Sequence, residues 1–381
     1  MPNTRRQFYF MRKISTGVLL LLWCQAVAGA ENRAESGNQP AADTPGTERS
    51  AQTIPLDTSL TDQPEEERCV FGAETEDWMD GFRSSTHNKL CSTVLWIDGL
   101  FGDKHQFDDR SFSGKISLGF REDETEGSDP RLRVRIKARL PNVSSRLNAF
   151  IGRVEEDSYI SNTEVDRDQV NAVGLRSVDD DDDEWLVGLG YRNPNNRANG
   201  FDFSVGAKLS SGLNPYAKVA HRHLFQTDPN AYWRTTQTVF WRKDDGYGVS
   251  SSLDFTKILS DRDIFEWDTS AKYTEEAEQW EWISSTAWHH SFNRKKGISS
   301  RAYVRGEDEN PVSIPEFGVT FTYVQPFLRP WLLLESGIDF RWEKDEYSLD
   351  EYKSAIRVGF QLEMLLGDYY SRLQQEHRRD R

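Results

Sequence analysis

Residues 131–140 run Arg131-Leu132-Arg133-Val134-Arg135-Ile136-Lys137-Ala138-Arg139-Leu140. Every odd position is cationic and every even position is apolar. Successive side chains of a strand point to opposite faces, so this segment is a strand with one basic face and one aliphatic face. A helix would spread the same charges around its surface and bury several of them. A soluble antiparallel sheet also alternates, so one strand does not decide the matter. The recurrence of the pattern behind an export signal does, and it points to an antiparallel transmembrane β-barrel of the bacterial outer-membrane type.

The export signal is at the N-terminus. Arg5, Arg6, Arg12 and Lys13 precede an apolar run from Val18 to Trp23, and Ala26-Val27-Ala28-Gly29-Ala30 follows. Basic, apolar and small-residue regions in that order form a signal peptide over 1–30, with cleavage after Ala28-x-Ala30. The apolar run is too short to span a bilayer. Trp23 before Cys24 is unlike a lipoprotein site, so Cys24 is expected to leave with the signal. Cys69 and Cys91 remain, and an even pair in an exported chain is expected to form a disulfide. It would close a loop of about 22 residues and stabilise by roughly 3 kcal/mol.

A mean hydropathy of −0.72 and a net charge of −15 would be odd for a helical membrane protein. A barrel resolves this, because only alternate residues meet lipid while loops and lumen stay polar. The 12 Trp, 13 Tyr and 21 Phe suit aromatic girdles at the two membrane surfaces. The net negative charge argues against nucleic acid as a partner.

Residues 31–68 are polar and poor in large apolar side chains, and form a disordered periplasmic linker. Residues 69–111 are a disulfide-bearing periplasmic or mouth-sealing segment. Trp78, Met79 and Phe82 suggest one amphipathic turn, and Leu90, Val94, Ile97 and Phe101 predict a short helix over 89–101. From residue 112 to 365, alternation predicts about fourteen strands, within a range of twelve to fourteen. A polar periplasmic tail follows at 366–381. Short turns at Pro141-Asn142, Leu259–Asp263, Asn293–Gly297 and Gln325–Pro330 are assigned to the periplasmic side. The acidic stretch 155–184, with Asp179 through Asp183, is then an external loop. It is a solvated charge run or, on the sharper reading, a divalent-cation site beside lipopolysaccharide.

With the aliphatic faces outward, Lys115, Arg121, Arg131, Arg133, Arg135, Lys137 and Arg139 point into the lumen, as do Glu266, Asp268, Glu335 and Asp339. Cations and carboxylates placed this way either create a transverse field across a channel or pair and fill it. Passive diffusion of small polar or anionic solutes is the leading expectation, with a purely structural barrel beside it. A second class is a lipid-acting hydrolase using His289-x-Ser291, since a serine needs a nearby base to become nucleophilic. Phe292 stands where outer-membrane lipases carry Asn, and Trp280, Trp282 and Trp288 mark the other face as the lipid side. A third class is a structural partner of envelope machinery, held through the linker and tail. His221-x-His223 is a possible pair of metal ligands with no third in view, so no metal or other cofactor is expected. Asp98 and Asp103 are expected to cap or solvate the helix.

Arg357-Val358-Gly359-Phe360-Gln361-Leu362-Glu363-Met364 resembles the closing-strand signal read by barrel-assembly machinery. Arg357, Gly359, Leu362 and Met364 occupy its marked positions, although outer-membrane barrels often end on an aromatic where this chain has Met364. The segment Trp96-Ile97-Asp98-Gly99-Leu100-Phe101-Gly102-Asp103, with barrel repeats directly after it, resembles a family of uncharacterised proteobacterial outer-membrane proteins. Their signature is a Trp-x-Asp-x-x-Phe-Gly-Asp-like segment. Arg135-x-Lys137-x-x-Leu140-Pro141 and Phe240-Trp241-Arg242 before Gly246-Tyr247-Gly248 are similar too. The resemblance covers about 90–365 and implies a fold and compartment only. The membrane-barrel reading itself makes outer-membrane lipid, lipopolysaccharide, the barrel-assembly machinery and a possible periplasmic protein the expected partners.

Overall fold

Alternation of apolar and polar side chains sets strand after strand, and fourteen of them close on themselves. The computed structural model describes residues 78–99, 112–125, 127–140, 146–161, 183–192, 199–209, 212–293, 296–308, 313–344 and 351–367. Helix α1 (Trp78–Gly99) precedes β1 (Phe112–Asp123), β2 (Gly127–Arg139) and β3 (Leu147–Glu155). Helix α2 (Glu156–Ser161) comes next. Then follow β4 (Asp183–Arg192), β5 (Gly200–Lys208), β6 (Asn214–Asp228), β7 (Ala231–Arg242) and β8 (Gly246–Ile258). The chain continues through β9 (Asp263–Thr274), β10 (Trp280–Asn293), β11 (Lys296–Glu307), β12 (Glu316–Phe327), β13 (Arg329–Glu343) and β14 (Lys353–Gly367). Each strand pairs antiparallel with its sequence neighbours, and β1 pairs with β14 to close the barrel. The export signal, the linker, Cys69 and the 368–381 tail lie outside the described residues. So do most of the acidic loop and residues 100–103 of the family-like segment.

The barrel has polar residues inside and apolar residues outside. On β1, Leu118 and Phe120 are exposed while Arg121 and Asp123 are each 2% exposed. The same parity continues around the wall. Leu132, Trp185, Leu189, Phe203, Val239, Phe321, Val358 and Phe360 stand exposed outside, and Thr238, Ser252, Asp268, Arg301, Asp339 and Arg357 are buried inside. An exposed apolar wall around a buried polar interior is stable only where the surroundings are hydrocarbon. No helix among the described residues is long and apolar enough to cross a membrane.

The start of β1 and the end of β14 lie at one end of the barrel, here called proximal. Antiparallel pairing puts the connections at 140–146, 193–199, 229–230, 259–262, 294–295 and residue 328 at that end. All four turns assigned to the periplasm from the sequence fall there. The distal end carries the connection between β3 and β4, the longest in the barrel.

Outside the wall, the aromatics form two bands. At the proximal end, Tyr191, Phe203, Phe201 and His221 follow one another within 6.5 Å between ring centroids. The band continues through His223, Phe225, Trp233, Phe255 and Trp267. Trp288, His290, Phe292 and Tyr323 complete it. It therefore runs from β4 to β12. At the distal end Tyr273 meets Trp280, and Phe317 meets Trp342 and Tyr352. Trp and Tyr favour the membrane–water boundary because each has an apolar body and a polar edge.

Helix α1 is longer than the 89–101 expectation and starts eleven residues earlier. The stripe it turns to the barrel is Met79, Asp80, Arg83, His87, Leu90 and Cys91, which is only half apolar and escapes a search for hydrophobic periodicity. Met79 and Leu90 pack on Phe112, Ile136, Ala138, Trp331, Met364 and Leu366. All of these except Trp331 share the parity of the exposed outer residues, so α1 lies on the outside of the wall. Asp80 accepts from Trp331 Nε1 at 3.0 Å and pairs with Arg329 at 2.9 Å on β13. Arg83 donates to the Leu365 carbonyl of β14 at 3.4 Å, and the His87 ring stands edge-on to Phe112 of β1 at 5.6 Å. The helix thus crosses β13, β14 and β1 in turn and covers the seam where the barrel closes.

Candidate channel lumen

The lumen has three different walls. The first is the basic ladder of β2. The inward parity of Arg131, Arg133, Arg135, Lys137 and Arg139 follows from the outward Leu132, Val134, Ile136 and Ala138 between them. At the distal end of the ladder, Asp129 pairs with Arg131 at 2.5 Å and with Arg121 at 3.5 Å. At the proximal end, Lys115 on β1 meets Glu363 on β14 at 3.5 Å. The ladder is therefore partly neutralised at its distal end, and on β1 the cation beside Arg135 is paired with Glu363.

The second wall is an ion-pair network across the closing seam. Asp123 at the distal end of β1 accepts from Arg357 Nε on β14 at 2.6 Å, and Arg341 on β13 reaches it at 2.8 Å. Thr125 also donates to Asp123, through N at 2.8 Å and Oγ1 at 2.7 Å. Next along the wall, Tyr303 donates to Glu316 at 2.7 Å and Thr320 to Asp339 at 2.7 Å. Asp339 and Arg357 are each 0% exposed. Burying charges this fully is tolerable only because each has an opposite charge and a hydrogen bond beside it.

The third wall, on β7 to β11, is lined by hydroxyls. Thr236, Thr238, Ser250, Ser252, Ser270, Ser285 and Ser299 are all inward and buried. A small charged group stands among them, where Arg301 reaches Asp268 at 3.4 Å and Ser285 at 3.0 Å.

An element that the sequence did not suggest packs against the inner wall of β3 to β8. The acidic stretch expected to lie wholly outside the barrel begins by turning inward as α2. Tyr159 stacks on Phe150 at 4.3 Å with 16° between the rings, and lies 4.4 Å under Lys218 Nζ. Lys218 also donates to the Tyr159 carbonyl, and Ser250 to the Ser161 carbonyl. Ile160 is 1% exposed in a cluster with Phe150, Val154, Leu186, Tyr216 and Phe240. These residues point inward, so the cluster is a small apolar core inside the lumen. Its rings lie flat because glycines make room: a Cβ at Gly188 or Gly206 would meet Tyr216 Oη at 2.6 Å. A Cβ at Gly248 would overlap the Phe240 ring.

The predicted site residues are brought together only in part. Glu266 and Asp268 are on β9, seven strands from β2 either way round, and so face the ladder across the barrel. Glu335 and Asp339 are on β13, three strands from β2, beside the arginines of the seam. Glu266 bonds His289 Nε2 at 2.9 Å, with His289 facing the lumen. No hydrogen bond joins His289 to Ser291 among the described residues, and Ser291 is exposed near the proximal rim. His221 and His223 face outward within the proximal aromatic band. No group of three potential metal ligands occurs among the described residues. Arg357 and Gly359 point inward on β14, and Leu362 and Met364 outward. The strand continues past Met364 to Gly367. Cys91 is buried on α1, with Cys69 outside the described residues. The side chains of Asp98 and Asp183, and Asp103 and Asp179 through Asp182 altogether, also fall outside them.

Asp123 is the functional residue that sequence reading missed. It lies in the run Arg121-Glu122-Asp123-Glu124, which has the composition of a turn. Strict parity with Arg121 was the available signal.

No protein-family model matches the sequence, and no curated protein does. Among solved structures, a KdgM porin is 6% identical with a TM-score of 0.30, over 65% of this chain and 97% of that one. OmpT of Vibrio cholerae is 11% identical with a TM-score of 0.41, over 67% and 96%. The outer-membrane channel DcaP of Acinetobacter baumannii is 8% identical with a TM-score of 0.37, again over 67% and 96%. Likeness at this level leaves the fourteen-strand closure and the inside-out polarity to speak for themselves.

Proposed function

We propose that this chain is a bacterial outer-membrane channel for small polar or anionic solutes, narrowed from within by α2. The observation that carries the proposal is the β2 ladder, five cations on one strand face, set across the lumen from hydroxyl-rich strands. Fixed cations along a low-dielectric passage raise the local concentration of anions. Hydroxyls on the strands opposite offer hydrogen bonds beside the carboxylates of Glu266 and Asp268, the latter held by Arg301. In this reading the N-terminal signal exports the chain across the inner membrane of a Gram-negative cell. Cys69 and Cys91 are joined in the oxidising periplasm, and β14 is the strand recognised by the assembly machinery. Membership of the family with the Trp-x-Asp-x-x-Phe-Gly-Asp-like segment belongs to the same proposal. The distal end faces outward, towards lipopolysaccharide.

The hydrolase reading has less behind it. His289 faces the lumen and is held by Glu266, whereas a lipase acting on membrane lipid needs its nucleophile and base together at the lipid surface.

The test is single-channel conductance of refolded protein in planar bilayers. Wild type is expected to pass anions over cations. Arg133→Glu with Arg135→Glu should lower that preference by about tenfold, because both changes reverse charge inside the passage. A silent bilayer, from protein whose heat-modifiable migration shows it folded, would overturn the channel reading.

A further inference from the structure

The proximal aromatic band runs from β4 to β12 and stops. Over β13, β14, β1 and β2 the corresponding outer positions are Leu332, Met364, Leu366, Phe112, Ile116, Ile136 and Ala138. The aromatic among them, Phe112, is 1% exposed beneath α1, and so cannot reach a membrane surface. This gap coincides with the path of α1. Asp80, Arg83 and His87 contact β13, β14 and β1 in order. Seven helical residues rise about 10.5 Å, which matches two strand spacings of about 4.8 Å.

The opposite face of the helix carries Trp78 and Phe82, one turn apart, 78% and 61% exposed. Beside them is the hairpin joining β12 to β13. Its Leu328 is 67% exposed and adopts a left-handed φ of 58°, which is uncommon for a residue with that side chain. The neighbouring Arg329 is the residue that binds Asp80. Helix and hairpin are therefore tied together, and both present apolar side chains at the level of the aromatic band.

We propose that Trp78, Phe82 and Leu328 form a membrane foot that inserts into the headgroup region of the periplasmic leaflet and completes the girdle across the closing seam. The partner is phospholipid. Continuity with the outer wall carries the assignment, because α1 lies on the same face as the exposed Leu118, Leu132, Val358 and Phe360. An interfacial helix is held by aromatic side chains directed into the lipid boundary, and Lys89, on the same face two turns beyond Phe82, lays its stem along that boundary and carries its ammonium to water. The proposal rests on the membrane-barrel reading.

The test places a photo-crosslinking residue, p-benzoylphenylalanine, at Phe82 in full-length protein refolded into phosphatidylethanolamine–phosphatidylglycerol vesicles. The same residue at Leu118, on the outer wall, is the lipid-facing control. At Asp261, in an exposed proximal turn, it is the water-facing control. After irradiation, intact mass should show a phospholipid adduct at 82 in a yield close to that at 118 and about tenfold above that at 261. An adduct at 118 without one at 82 overturns the foot and leaves the membrane barrel standing. Absence at both positions overturns the membrane reading itself. A protein-sized adduct at 82 in native envelopes, in place of the lipid, would give the surface to a periplasmic protein and overturn the proposal.

Discussion

The sector of β13, β14 and β1 and the sector of β7 to β10 belong to one barrel but are held in different ways. The first has buried charges inside and a helix outside. The second has hydroxyls inside and an aromatic band outside. The first contains the closing seam, where chain ends rather than a hairpin meet, so no connection fixes the register of β1 against β14. Register there must come from side chains. Asp123 supplies it from inside by binding one arginine on each of two strands, and α1 supplies it from outside by contacting β13, β14 and β1. In the second sector every strand is tied to the next by a short hairpin, and small residues suffice.

Removal of Asp123 should therefore have the largest effect. Asp123→Ala leaves Arg341 and Arg357 buried with their shared carboxylate gone, and breaking such a cluster costs about 3–5 kcal/mol. The urea midpoint for loss of heat-modifiable migration should fall accordingly. An unchanged midpoint would mean that the seam is held by backbone pairing and α1 alone. Next in size is the core around α2. Ile160→Ala removes a fully buried side chain, and such truncations cost about 2–4 kcal/mol. The strands themselves lose little, so the loss should appear as release of α2 from the wall. The expected result is higher single-channel conductance with an unchanged urea midpoint.

The outer fastening of the seam has a pH dependence of its own. Burial, and then the neighbouring Arg83 charge, lower the His87 pKa from 6.5 to about 4. The docked helix thus holds the neutral ring, while an undocked helix takes up a proton below pH 6.5. Docking is at full strength above that value and is lost as pH falls from 6.5 towards 4, by about 2 kcal/mol after allowance for solvent screening. Hydrogen exchange of α1 amides, taken relative to the intrinsic rate at each pH, should accelerate at pH 5 compared with pH 7.5, with β8 unaffected. His87→Leu should remove the difference, and equal acceleration in that variant would sink the assignment.

Much of this contrast is legible in the amino-acid sequence. Alternation at 131–140 and in later strands gave parity, and parity gave the lumen side of Arg133, Asp268 and Asp339. Short turns gave the proximal end. What could not be read depends on contacts between distant segments. Nothing local shows that Asp123 binds Arg341, 218 residues away. Tyr159 and Ile160 are two apolar residues in an acidic stretch, and only the inward rings of Phe150, Tyr216 and Phe240 explain them. The face of α1 that meets the wall includes Asp80, Arg83 and His87, so its partners, not its hydropathy, define it.

The smallest effect is expected where the comparison is most exposed to failure. Ser252 is 4% exposed in the hydroxyl sector, and its Oγ has no hydrogen-bond partner among the described residues. A buried hydroxyl without a protein partner contributes little or is mildly unfavourable, so Ser252→Ala should change stability by no more than about 0.5–1 kcal/mol, in either direction. Conductance should change little too, since one hydroxyl among many is removed and no charge moves. A loss in the urea midpoint as large as that of Asp123→Ala would show that the hydroxyl wall is as tightly coupled as the ion-pair wall. The difference between the two sectors would then lie in composition and not in how they hold the barrel closed.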